Sequence, residues 1–164
     1  MNTLTPALYC RIIEMLSLAT LIWTFVPLCF YGELAGVEIP VHYNVNGKID
    51  KWGSRDYLWI LSLIAAAFYV VLSVIQKYPQ LINRHVKIKI RNAGILSKRD
   101  IQMMRIVKFF LIAFIAYFSN SSYVIAVGGK TSCAYIMALT AGVLISVLVF
   151  FIMEMVRLKK QIRI

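Results

Sequence analysis

The stretch Tyr57-Leu58-Trp59-Ile60-Leu61-Ser62-Leu63-Ile64-Ala65-Ala66-Ala67-Phe68-Tyr69-Val70-Val71-Leu72-Ser73-Val74-Ile75-Gln76 decides the fold. It carries no charge from end to end. At ~1.5 Å per helical residue, ~20 apolar residues cover the ~30 Å of hydrocarbon in a bilayer. Tyr57 and Trp59 open the run, and aromatics of this kind settle at the membrane–water boundary.

Working outward, three more runs share this character. Residues 12–31 are apolar except for Glu14, and 106–127 and 134–156 complete the set. The expectation is an all-α integral membrane protein: one domain over 1–164, a four-transmembrane-helix bundle with spans at 12–31, 57–76, 106–127 and 134–156. Composition agrees, with 60% apolar residues, a mean hydropathy of +0.75 and 15% charged residues, where soluble domains have ~25% charged. The first run reads as a retained span and not as a signal peptide. Its leading segment has little charge, its apolar core is too long, and no A-x-A-like site follows. Arg11 and Glu14, three apart, are expected to pair at the interface, and Pro27 to bend the outer third.

The chain carries eighteen Lys and Arg against seven acids, a net of +11. A nucleic-acid partner is excluded by where the charge sits, because the basic residues collect beside apolar runs. The connection 77–105 holds Lys77, Arg84, Lys87, Lys89, Arg91, Lys98, Arg99 and Arg105 against one acid, Asp100, and Lys108 follows directly. Arg157, Lys159, Lys160 and Arg163 form a basic tail. With four spans the connection and the tail share a side, so the positive-inside rule puts them and both termini in the cytoplasm, and residues 32–56 outside. Ser97 and Asp100 resemble a capping box starting a helix that runs on into the third span. The bilayer is the first partner implied, and anionic lipid at the basic connection the second, at ~1 kcal/mol per basic residue near the surface.

Residues 32–56 hold the densest mixture of polar, aromatic and turn-forming side chains. Val41, Tyr43 and Val45 alternate with His42 and Asn44, which is strand periodicity. Asn46-Gly47 suits a two-residue type I′ turn. A return strand 48–52 would set Trp52 opposite Val41, Asp50 opposite Tyr43 and His42 opposite Lys51. Ser54 reads as the N-cap of the next helix. The expectation is a small hairpin or loop standing on the bundle.

No set of residues here supports an enzyme: there is no nucleophile–base pair, phosphate loop or carboxylate pair. His42 is the obvious metal or catalytic candidate, but it lacks a ligand set, and Asn44, Asn46 and Asp50 miss the EF-hand spacing. Neither a metal nor another cofactor is expected. Cys10, Cys29 and Cys133 show no metal-binding spacing. Ser119-Asn120-Ser121-Ser122 interrupt the third span, and polar groups there need partners on neighbouring helices or line a cavity beneath the loop. Glu154 is expected to pair with Arg157 near the inner interface.

Ile39, Pro40, His42, Tyr43, Asn44, Gly47, Asp50, Trp52, Gly53, Ser54 and Arg55 resemble the signature of a bacterial membrane domain found at the N-terminus of SdpI-type immunity proteins: Ile-Pro-x-His-aromatic-Asn-x-x-Gly-x-x-Asp-x-(aromatic or Gly)-Gly-(Ser or Asn)-(Lys or Arg). The resemblance covers the loop, the Tyr78-Pro79 pair and the basic connection, and the chain looks like a small four-span stand-alone member. It implies a multi-pass protein of the bacterial inner membrane. The implied work is toxin immunity or membrane signalling through the outer loop, with a secreted peptide toxin or another membrane protein as partner. Pro40, His42, Tyr43, Asn44, Gly47, Asp50, Trp52, Gly53 and Arg55 are the expected binding residues. Two other classes stay open. One is a small transporter or transport accessory using Ser119, Asn120, Ser121 and Ser122. The other is a metal- or ligand-sensing membrane protein centred on His42.

Overall fold

The computed structural model describes residues 6–44, 47–78, 98–131, 140–149 and 152. Most of these are helical. Among them, three stretches are long and apolar enough to cross a membrane: Leu8–Cys29, Tyr57–Lys77 and Ile101–Ala126. They belong to α1 (Pro6–Thr24) with the short α2 (Val26–Cys29), to α3 (Tyr57–Lys77) and to α4 (Lys98–Ala126). The expected fourth span lies partly outside the described residues, but Thr140–Val149 is an apolar helix. It packs beside α4, where Gly142 sits so close to the Phe110 ring that a Cβ would come within 3.1 Å. The basic tail, most of the basic connection, Cys133 and Glu154 lie outside the described residues.

The bundle core is made of small side chains. Ser17, Thr24, Ser62, Ala65, Ala116 and Ser119 are all buried, with Ile112 and Ile115 as the larger fillers. Apolar surface gains little by leaving lipid for a helix interface, so small residues that allow close backbone approach do the packing instead. The hydroxyls of Ser17, Thr24 and Ser62 are satisfied locally. Ser17 donates to the Ile13 carbonyl at 2.8 Å, Thr24 to Thr20 at 3.1 Å and Ser62 to Leu58 at 2.9 Å.

Pro27 does more than bend the first span. It ends α1 at Thr24, and the chain continues as α2 and then a 3₁₀ turn, Tyr31–Leu34. Pro27 has no N–H for the carbonyl of Trp23 four residues back, and the Leu28 N–H turns to Phe25 at 3.0 Å and leaves Thr24. Two orphan carbonyls result, and neighbouring helices cap both. The Asn120 amide donates to Trp23 at 3.1 Å, and the Ser62 hydroxyl shares its one proton between Leu58 and Thr24, the latter at 3.2 Å.

The connection between α2 and α3 is a two-stranded antiparallel sheet, β1 (Glu38–Tyr43) with β2 (Ile49–Ser54). It does not stand on the bundle but lies along the outer half of α4. Ile39 is fully buried with Leu34 and Leu58, against Leu28, Val41, Tyr123 and Ala126. Tyr43 meets Phe118 edge-on, with centroids 5.5 Å apart. α4 ends in a Schellman motif: Gly129 N–H bonds Val124, Gly128 N–H bonds Ile125, and Gly128 takes φ +82°.

The register departs from the expected one. Pro40, not Val41, lies opposite Trp52, and Ile49, not Asp50, opposite Tyr43, while His42 does face Lys51. The cause is the turn. Asn44 N–H bonds the Lys48 carbonyl at 2.9 Å and Gly47 N–H bonds the Asn44 carbonyl at 2.8 Å. The closing pair therefore brackets three residues, which moves the pairing by one position relative to a two-residue turn. Asn46 lies outside the described residues, but Gly47 has the expected positive φ, +73°. Irregularities on both sides of His42 absorb the difference. Ser54 is also not the cap: the N-cap position of α3 is Asp56, with no side-chain cap bond.

Candidate functional site

Most signature residues hold the hairpin in place. Ile39 fills the outer core, and Pro40 is buried with its carbonyl accepting the Ser122 hydroxyl at 2.8 Å. Asn44 Oδ1 accepts the Lys48 N–H at 3.0 Å and closes the turn. Gly53 runs so close to its neighbours that a Cβ would lie 2.9 Å from Val41 Cγ1 and 3.1 Å from the Tyr57 ring. Arg55 stacks over Tyr31, 4.2 Å from the ring centroid, and donates to the Tyr31 carbonyl at 3.1 Å.

Asp56 completes this corner. It accepts from the Tyr31 hydroxyl and from Ser54 Oγ, the latter at 2.8 Å. The Tyr31 hydrogen bond, then that of Ser54, holds the Asp56 carboxyl below its usual range. The same bond to Asp56 pushes the Tyr31 hydroxyl up. Sequence reading passed over Tyr31 and Asp56, which lie on either side of the signature, one residue past it in the case of Asp56.

Three signature side chains have no comparable packing role. His42 and Asp50 are exposed and paired, with His42 Nδ1 2.6 Å from Asp50 Oδ1. Trp52 is 46% exposed. His42 keeps its expected place opposite Lys51, but Asp50, expected opposite Tyr43, reaches the imidazole across the pairing shift between His42 and Tyr43. In a neutral ring, a carboxylate on Nδ1 selects the tautomer with its proton there and leaves Nε2 as an acceptor. The pair alone is not a metal centre, and no group of three or more His, Cys, Asp or Glu side chains gathers among the described residues.

The polar patch on α4 is occupied by packing. Asn120 and Ser122 serve the Trp23 and Pro40 carbonyls, Ser121 is buried, and Ser119 is buried with its hydroxyl unpaired. The patch meets the hairpin through one direct hydrogen bond, from Ser122 to the Pro40 carbonyl.

A second cluster lies deep in the bundle. Lys108 is fully buried, and its ammonium donates to Glu14, to Ser73 Oγ at 3.0 Å and to Gln76 Oε1 at 3.5 Å, with the Tyr69 ring centroid 4.5 Å away. Arg105 Nε stands 3.9 Å from the other Glu14 oxygen. Three spans thus converge on one charge pair. The expected Arg11–Glu14 pair is replaced: Glu14 faces α4, where Lys108 and Arg105 offer two cations on adjacent turns. Lys108 belongs inside the bundle and not to the basic connection.

No protein family and no solved structure matches the chain. An uncharacterized protein of Archaeoglobus fulgidus is 35% identical over 71 residues, an alignment that takes in 38% of each chain. The chain therefore matches well under half the length of this curated relative.

Proposed function

We propose that this is a non-enzymatic, multi-pass protein of a bacterial inner membrane that binds a partner through the exposed side of its outer hairpin. Its relation to the SdpI-type domain rests on the signature alone. The observation that carries the reading is the division of labour within that signature. Ile39, Pro40, Asn44, Gly53 and Arg55 are spent on holding the hairpin, while His42, Asp50 and Trp52 face outward. A paired His–Asp beside an exposed indole offers one hydrogen-bonding point and one flat apolar face, which suits a peptide or a protein segment. In a toxin-immunity role that segment belongs to a secreted peptide; in a signalling role it belongs to another membrane protein. The positive-inside rule supports an outward hairpin, with both termini and the basic connection in the cytoplasm.

A photo-crosslinking residue at position 52, with position 130 as control, tests the reading in living cells. A partner crosslinked at 52, and lost on His42→Ala or Asp50→Ala while the protein stays folded, is the expected result. A small secreted peptide would specify immunity, and a larger permease would specify an accessory role. Equal capture at both positions, or indifference to His42 and Asp50, would remove the hairpin as the binding element.

A further inference from the structure

The deep cluster is not neutral. Among the described side chains, the cations at the end of the bundle where α1 begins are Arg11, Lys77, Arg105 and Lys108, and the acid there is Glu14. The other described acids, Glu33, Glu38, Asp50 and Asp56, all belong to the connection between α2 and α3.

Lys108 takes the Glu14 charge for itself. Its three N–H groups meet three acceptors, and its contact to Glu14 is a hydrogen bond. Arg105 is left with the weaker share. Its Nε is 3.9 Å from Glu14 Oε2, beyond hydrogen-bond reach, and that oxygen has no donor of its own. The side chain is 28% exposed, so most of it is covered while part of its surface stays open. A guanidinium carries five donors and keeps its charge under all physiological conditions. Held at this depth with no hydrogen-bond acceptor among the described residues, it is costly.

The position limits what can answer it. Arg105 is four residues past Ile101, where the apolar stretch of α4 begins, which is about 6 Å into the layer. Gln102, on the turn before, is tied to Cys10 Sγ at 3.8 Å and joins α1 to α4 beside it. Arg11 lies on the α1 turn between Cys10 and Glu14 and is exposed. An acceptor that the bilayer offers Arg105 must therefore come from the headgroup layer, which a snorkelling arginine stem can span, carry negative charge and present paired oxygens to a planar fork. A lipid phosphate meets all three conditions, and arginine binds phosphate in bidentate fashion.

We propose that the seam between α1 and α4 is a binding site for the phosphate of an anionic lipid, with Arg105 as its principal donor and Glu14 held away by Lys108. Arg105 was counted with the basic connection, whose attraction for lipid depends on total charge; the site proposed here depends on that one guanidinium, at the end of the connection inside α4. It is also independent of the hairpin reading.

The test uses the full chain in a neutral detergent, with native mass spectrometry and thermal melting as readouts. Phosphatidylglycerol, phosphatidylcholine and inorganic phosphate are added in turn. Phosphatidylglycerol should be retained as a single adduct and raise the melting temperature, and the other two should not. Arg105→Gln should weaken retention about tenfold, the loss of one charge-assisted contact. Arg105→Lys should recover part of it, and Lys77→Gln should leave it unchanged. Circular dichroism on each variant separates loss of lipid from loss of fold, and Arg105→Lys carries the test should Arg105→Gln not fold. Undiminished retention by Arg105→Gln, an equal effect of phosphatidylcholine, or an equal effect of inorganic phosphate would each overturn the proposal.

Discussion

Removing the charge of Glu14 should cost more than removing that of Lys108, although the two form one pair. Lys108 is fully buried, whereas the Glu14 side chain is 36% exposed. In Glu14→Gln, Lys108 keeps only neutral acceptors: the new amide, Ser73 and Gln76. Breaking a buried pair from one side costs about 3–5 kcal/mol in soluble proteins. Interhelical contacts in membranes run weaker, so about 3 kcal/mol is the expected loss. In Lys108→Met the unbranched stem is replaced by one of similar shape, and Glu14 still has Arg105 at 3.9 Å and partial exposure to fall back on. The expected loss there is about 1 kcal/mol. The double variant Glu14→Gln/Lys108→Met removes both charges and should lie within about 1 kcal/mol of the parent, which gives a coupling of about 3 kcal/mol. Reversible unfolding by dodecyl sulfate titration from mixed micelles, followed by circular dichroism, measures all four species. The reasoning fails if Lys108→Met is as costly as Glu14→Gln, or if the double variant is no more stable than Glu14→Gln alone.

Three further outcomes follow from the outer corner and the topology. Gly47→Val should loosen the hairpin by about 1–2 kcal/mol, since φ +73° is strained for a β-branched residue; unchanged protease resistance of the 38–54 segment would count against the turn. Asp56, with its carboxyl held low, favours the folded corner above the ordinary carboxylate range near ~3.9, and that contribution is lost as pH falls through the lowered folded value. Tyr31, raised, contributes below its ordinary ~10 and loses that contribution as pH climbs through the raised value. Tyr31→Phe should therefore weaken the corner at neutral pH and flatten its loss on acidification, read from the fluorescence of Trp52 and Trp59; an unchanged acid profile would refute the coupling. Single cysteines at Lys48 and Lys130, on a background without Cys10, Cys29 and Cys133, should react with an impermeant thiol reagent on intact cells and one at Lys89 should not; the reverse pattern would invert the orientation.

What the sequence made legible was whatever depends on composition over many residues. Twenty uncharged positions at 57–76 can hardly be anything but a span, and the alternation through Val41 and Tyr43 marked a strand before any partner was known. The hairpin's register was not legible, because one extra residue inside the turn moves every cross-strand neighbour by one position. That single residue decided whether Asp50 would meet Tyr43 or reach His42. The orphan carbonyls of Trp23 and Thr24 are a different case. Pro27 announces a missing N–H, and Ser62 and Asn120 are the kind of donors that answer it, yet nothing local says which helix brings them. The Glu14–Lys108 pair hid behind a habit of reading, since a lysine next to a basic connection is naturally counted with it. A depth comparison would have found the pair. α1 and α4 run the same way through the layer, and Asn120 meets Trp23 near their outer ends. Counted inward from that contact, Glu14 lies about 14 Å down α1 and Lys108 about 18 Å down α4, well within the reach of a lysine stem. A lone acid and a lone base at matching depth on two parallel spans are each too expensive to leave unpaired in lipid. Each is therefore the other's best explanation, and Arg105, one turn further in, is left with a charge that the described residues do not fully answer.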